Sequence, residues 1–231
     1  MTDSRTLTGI SSMATRHLLA ELVNEFERTT GQAVNIESVG GVDAAARVRS
    51  GESFDIVVLA ADAIAKLEAH GHVVPHSRVD LARSGVAIAV AAGAPRPAID
   101  TEAALREAVL AAHTIGYSTG PSGTHLVRLF ERWGIAATVA PRIVQAPPGV
   151  PVGTLVANGD VELGFQQLSE LLNLPGIDVI GPLPADSQIV TVFSAALCST
   201  STQKEAGEAL LSFLASPQTA AVKRNHGMEP A

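Results

Sequence analysis

From Leu7 to Gly71 the chain alternates short β-branched runs with longer runs of helical period. "LTGI" reads as a strand, and Ser11 or Ser12 can cap the helix after it. Leu19, Leu22, Val23 and Phe26 then recur at helical spacing, and Gly31 stops that helix. "AVNIES" is a second strand, and "VGG" turns into the helix "VDAAARVRSG", closed by Gly51. "DIVVLA" is apolar throughout, as a strand buried on both faces must be. "ADAIAKLEAHG" is a third helix, with Asp62 as its N-cap and Gly71 as its stop. Strand followed by helix, repeated, predicts a mostly parallel sheet with crossover helices, an α/β fold.

The rhythm then lengthens. "GVAIAV" is a long strand ended by a Pro-rich loop, and "TEAALREAVLAA" is a helix with Thr101 as cap. "HTIGY" is a strand that delivers "STGPSGTH" to the helix "LVRLFERWG". "ATVAPRIVQ" and "VELGF" read as strands, "VGTLVANGD" and "QQLSELLN" as short helices. "SQIVTVFSAALC" is a second long strand, and "TQKEAGEALLSFLAS" and "PQTAAVKRNHG" are terminal helices. The two long strands bracket a central α/β block. A chain that leaves one lobe, builds a second and returns is expected to fold as residues 1–83 with 196–231, and 84–195, with a two-strand hinge and a ligand cleft between the lobes.

Composition narrows the function classes. A chain of 231 residues with 46% hydrophobic and 17% charged residues is globular. The net charge of −7 and the lack of a basic run leave no electrostatic footprint for nucleic acid. With 3% aromatic residues, stacking platforms for bases are not expected either. No apolar run reaches the roughly 20 residues of a membrane span. "MTDSRTLTGISS" has neither a basic nor an apolar signal region, which points to a cytoplasmic chain or a processed periplasmic one. The single cysteine, Cys198, sits in an apolar run and reads as a buried hydrophobe. His70, His72 and His76 resemble a metal cluster, but no acidic or Cys partner stands beside them, so neither a metal nor a cofactor is expected.

Several ordered stretches carry a family resemblance. They are "FERTTGQAVNIESVGGVDAAARVRSGESFDIVVLA", "RVDLARSGVAIAVAAGAPRPAI", "GFQQLSELL" with "GIDVIGPLP", and "ALLSFLASPQTAAVKRNHGMEP". Together they resemble the type-II periplasmic binding proteins, especially the molybdate-binding-like solute receptors of ABC transporters, over nearly the whole chain. The resemblance implies a two-lobed fold, a small anion held at strand-to-helix turns, and an ABC permease as possible partner.

On that resemblance the candidate ligand contacts fall turn by turn. Ser11 and Ser12 offer hydroxyls after the first strand; Gly40, Gly41 and Val42 stand where molybdate receptors usually carry another serine. Ala60 and Ala61 offer backbone N–H groups. "YSTGPSGTH" lacks the lysine of a nucleotide-binding loop, yet Ser118, Ser122, Gly123 and Thr124 suit a backbone anion nest. Val150 matches a family backbone donor. Gln166 and Gln167 stand where a tyrosine hydroxyl is usual, and amides suit a carboxylate or hydroxyl better than a compact oxyanion.

Two functions follow. One is a solute-binding protein that closes on an oxyanion or a di- or tricarboxylate. The other is an isomerase, because aconitate isomerase resembles the same family; His17 and His125 are then the candidate proton carriers.

Overall fold

The structure, a computed structural model, describes residues 6–231. In chain order the first elements are β1 (Leu7–Ser12), α1 (Arg16–Thr30), β2 (Val34–Val39), α2 (Gly41–Arg49), β3 (Ile56–Ala60), α3 (Ala61–Ala69) and β4 (Val79–Ala91). There follow α4 (Glu102–Ala111), β5 (Ile115–Tyr117), α5 (Pro121–Arg132), α6 (Ala136–Val139), β6 (Ile143–Gln145), α7 (Val152–Ala157), β7 (Leu163–Gln167) and α8 (Leu168–Leu171). The chain ends with β8 (Ile177–Pro182), β9 (Val190–Leu197), α9 (Lys204–Ala215), α10 (Ala220–Asn225) and β10 (Glu229–Pro230). It forms two compact units: the chain up to Arg83 with Val192–Ala231, and Ser84–Thr191. β4 carries the chain out of the first unit and β9 brings it back.

In the first unit the strand order is β2-β1-β3-β9, with β1 parallel to β2 and β3, and β9 antiparallel to β3. The alternation of β3 builds a core on each face. Ile56 and Val58 pack with Leu18, Leu22 and Phe26 of α1 and Leu210 and Leu214 of α9. Val57 and Leu59 pack with Val48 of α2 and Ile64 and Leu67 of α3. Burial on both faces is why this strand reads as an unbroken apolar run.

In the second unit the order is β4-β7-β5-β6, with β5 parallel to β6 and β7, and β7 antiparallel to β4. β8 pairs antiparallel with β4 as well. Ile88 and Val90 join the core under α4 and α5, while Ala87 and Ala89 face Leu171 of α8. α7 lies close to β7 at Gly164, where an added Cβ would stand 2.5 Å from Val156 Cγ2. A side chain there would push the helix off the strand.

The structure corrects several local expectations. "ATVAPRIVQ" begins as helix α6 and becomes a strand only at Ile143. The Val139 N–H donates to the Ile135 carbonyl, and both side chains are buried in the second core, so helical spacing wins until Pro141. β8 escapes the period-2 pattern because its residues are mostly half-buried. Ala60, not Asp62, occupies the cap position of α3, and Asp62 lies in its first turn. Ser12 precedes a short 3-10 turn but makes no cap hydrogen bond. Thr101 does cap α4, accepting from the Ala104 N–H at 3.1 Å. Cys198 is buried, and its thiol is pushed up to about 12 by burial and by the nearby Asp55 charge.

Asp55, itself buried, joins separate segments of the first unit. Its Oδ2 accepts from the Thr8 N–H at 2.9 Å, the Thr8 hydroxyl at 3.2 Å and Gln203 Nε2 at 3.2 Å. Its Oδ1 accepts from the Ser201 hydroxyl at 2.7 Å. Asp55→Ala leaves these donors unsatisfied. It is expected to lower unfolding stability by about 3 kcal/mol, read as a reduced urea midpoint.

Candidate functional site

Parallel strands end on a common edge, so each unit gathers its strand-to-helix turns in one place. In ligand-binding α/β proteins that carboxyl edge is where small molecules sit.

In the first unit the edge is made by the ends of β1, β2 and β3. Register places Ser11 beside Ser38 and Ser12 beside Val39. The Ser11 and Ser38 hydroxyls are 2.7 Å apart and share a hydrogen bond. Ser38 was not singled out from the sequence; only the pairing register shows that it meets Ser11. Ser12 Oγ is buried and has no partner among the described residues. Gly41 opens α2 against Ser12, its missing Cβ 3.5 Å from that residue's Cβ, and Gly40 caps the helix through backbone alone. Val42, in the first turn of α2, is 59% exposed. Ala60 and Ala61 begin α3 and present backbone only. His17 lies exposed in the first turn of α1, with no hydrogen-bond partner among the described residues.

In the second unit the edge is made by the ends of β5, β6 and β7. Tyr117 pairs with Gln145 on one side and Phe165 on the other. The turn after Tyr117 enters α5 with Gly120 as cap and Pro121 at the start, where a missing N–H costs nothing. Gly123 is required by close approach: a Cβ there would fall 1.9 Å from the Ser118 carbonyl oxygen. The Ser118 and Ser122 hydroxyls are 3.3 Å apart. Thr124 is exposed, and its N–H donates to the Gly120 carbonyl. A cavity of about 340 Å³ opens here, lined by Tyr117, Thr119, Gly123, Thr124, Arg128 and Gln145 among others. His125 is exposed on α5 without a hydrogen-bond partner among the described residues.

In the remaining turns the polar groups named from the sequence also have partners inside the protein. The Val150 N–H donates to the Pro147 carbonyl at 3.0 Å, so it is spent inside the turn. Gln166 is likewise engaged at both ends. Its Oε1 accepts from the Val152 N–H at 2.7 Å, and its Nε2 donates to Glu170 Oε2 at 2.6 Å. Gln167 Nε2 donates to the Thr191 hydroxyl at 2.8 Å, while its Oε1 is buried and unpartnered.

Glu170 is the functional candidate that sequence reading missed. Its carboxyl meets no cation among the described residues, and burial pushes it up to about 7, against a smaller opposing effect of the Gln166 hydrogen bond. The residue keeps a partly exposed surface. The only sequence signal was the Gln166–Glu170 spacing, which is also that of an ordinary helix face. Among the described residues, no group of three or more His, Cys, Asp or Glu could hold a metal ion, and His70, His72 and His76 form no such group.

Two α/β units entered and left by two long strands, each with its parallel strands ending on one edge, have the architecture of the two-lobed periplasmic binding proteins. The chain belongs to the family described as bacterial extracellular solute-binding protein, whose model matches residues 7–229. It is 38% identical to an aconitate isomerase from Pseudomonas sp., over 97% of this chain and 88% of that one. It is 25% identical to the molybdate-binding protein ModA of Azotobacter vinelandii, over 90% and 84% of the two chains. The solved Azotobacter vinelandii periplasmic molybdate-binding protein superposes with a TM-score of 0.80 at 22% identity, covering 96% of this chain and 98% of that one.

Two outcomes follow from this geometry. Gly123→Ala forces the Ser118 turn to move and is expected to cost about 1–3 kcal/mol of stability, read by chemical denaturation. Glu170 holds its proton more tightly in the folded chain (about 7) than in the unfolded chain (4.5). Stability therefore falls as pH rises through that window. By pH 8 the ionised carboxyl costs about 3 kcal/mol. Glu170→Gln should be more stable than wild type at about pH 8 and equal to it at about pH 4, measured by urea unfolding at each pH.

Proposed function

We propose that the chain binds a small organic anion, a di- or tricarboxylate, at the carboxyl edges of its parallel strands. The observation that carries this reading is the set of buried polar atoms left unpartnered at strand ends: Ser12 Oγ in the first unit, and Gln167 Oε1 and Ser169 Oγ in the second. Buried polar atoms are nearly always satisfied, and what sets these three apart from other unpartnered atoms such as Ser84 Oγ and Ser216 Oγ is their place at, or just after, a strand end on the carboxyl edge, where a ligand can satisfy them. A serine hydroxyl can donate to an anion oxygen, and an amide oxygen accepts from a ligand hydroxyl. Family membership and the molybdate-binding relative support a small-anion ligand. In a transport role the partner is an ABC permease.

A second reading has specific support. The aconitate isomerase relative is 38% identical over nearly the whole chain, and Glu170 titrates near neutral pH, as a proton-transferring group should. In this reading the same edges hold a tricarboxylate while a proton moves along its allylic carbons. His17 and His125 remain candidate carriers beside Glu170.

Thermal unfolding with trans-aconitate, citrate, sulfate or molybdate checks the first reading. Ligand at a hundredfold excess over Kd adds about 2.7 kcal/mol, so a matching anion raises Tm by several degrees. Ser12→Ala should weaken that ligand about tenfold, the effect of one lost hydrogen bond. No response to any anion overturns the binding proposal. Proton NMR of cis-aconitate with the protein separates the two readings: trans-aconitate appearing well above the buffer rate establishes the isomerase, and none appearing rejects it.

A further inference from the structure

Glu170 and its neighbours form a cluster whose arrangement says more than the presence of a buried carboxyl. The Val152 N–H fixes the Gln166 amide by binding its oxygen, which leaves Gln166 Nε2 able to donate and unable to accept. That nitrogen holds Glu170 Oε2 at 2.6 Å. The other carboxyl oxygen, Oε1, has no hydrogen-bond or ion-pair partner among the described residues and, unlike Ser169 Oγ, is not closed off from the surface. It is also the oxygen left to carry a proton, because Oε2 faces a donor. The residue retains exposed surface in the turn that follows β7, at the carboxyl edge of the second unit. Next to it in the chain, Ser169 Oγ is buried and without a partner.

Among the described residues, no charge favours ionisation of Glu170. α7 and β7 carry no titratable residue, α8 carries only Glu170, and the stretch of β4 facing α8 carries none. On β8 the one titratable group, Asp178, is engaged by Arg96 at 3.0 Å and the Gly93 N–H at 3.3 Å.

We propose that Glu170 meets the bound anion as a carboxylic acid, donating a hydrogen bond from Oε1, with Gln166 as the residue that positions it. The proposal rests on the reading that the carboxyl edge of the second unit holds a carboxylate or similar anion. It makes Glu170 a specificity-determining residue: an anion oxygen is accepted there only together with a proton, which comes from solvent and stays on Glu170. A carboxylate that stayed ionised would repel the ligand, and burial makes that repulsion stronger than in water.

Titration calorimetry from about pH 6 to about pH 8.5 with molybdate, a dianion throughout, and with trans-aconitate, which carries at least two negative charges throughout, tests this. Wild-type affinity is expected to fall about 30-fold across that range for the probe that binds. At about pH 8, runs in buffers of different ionisation enthalpy should show about one proton taken up per ligand. Glu170→Gln keeps a donor in the same place and loses the titration. It should bind within about threefold of wild type near pH 6 and show neither pH dependence nor proton uptake. A Glu170→Gln variant that retains the wild-type pH dependence overturns the proposal and leaves the binding reading standing; absence of binding by either probe at any pH overturns both. A second measurement needs no variant: the Glu170 side-chain carboxyl carbon signal at about pH 8 should move to the acid position on ligand addition. Movement to the carboxylate position, or no movement under saturating ligand, overturns the proposal.

Discussion

The first unit is assembled from two stretches separated by the whole second unit, and the Asp55 carboxylate is where those stretches are tied. It takes hydrogen bonds from Thr8 on the first strand and from Ser201 and Gln203 on the returning chain. Its own backbone N–H donates to the Thr8 carbonyl, and its carbonyl accepts from the Cys198 N–H. One residue thereby links β1, the start of β3 and the segment after β9. The register that follows puts Gly9 opposite Ile56 and Ser11 opposite Val58, which brings the ends of β1 and β3 to the same edge. The serines at that edge depend on a contact made at the other end of the strands.

The second unit solves a related problem by close packing. Its parallel strands are short, and the helix α7 is only six residues long. Gly164 lets α7 approach, and the Val152–Gln166–Glu170 hydrogen bonds tie the start of α7 to the turn after β7. An amide placed to satisfy one backbone N–H also fixes a carboxyl, so a structural bond and a chemical group share one side chain. Gln166 thus carries two structural bonds in the expected turn, and these leave its second Nε2 hydrogen and second Oε1 lone pair unused. The two edges share hydroxyls and backbone groups, and the second adds an amide and a titratable acid.

A family built to hold small anions has no need of a strong net positive charge at its site. This chain carries −7 overall, and its candidate edges offer hydroxyls, an amide oxygen and backbone groups. Selectivity then comes from how many protons and donors each position presents. A tetrahedral oxyanion asks only for donors, whereas a hydroxyl or acid proton on the ligand asks for an acceptor such as Gln167 Oε1.

Much of the fold was legible in the residues. The unbroken apolar run at Ile56–Ala60, the helical spacing of Leu19 to Phe26 and the glycine stops at Gly31, Gly51 and Gly71 are local signals, and each glycine indeed adopts a positive φ. These patterns act over a few residues, so sequence alone determines them, along with the turns where a ligand site should be sought. It did not determine what each side chain in those turns does. Whether Gln166 faces a ligand or another residue depends on Val152 and Glu170, brought near by α7 and α8 packing on β7. The Ser11–Ser38 pair exists only through strand register, and the helix at Ala136–Val139 only through burial of Ile135 and Val139. Hydrogen bonds and burial between residues distant in the chain are set by tertiary structure, and they decide which polar atoms are spent and which are left for a ligand.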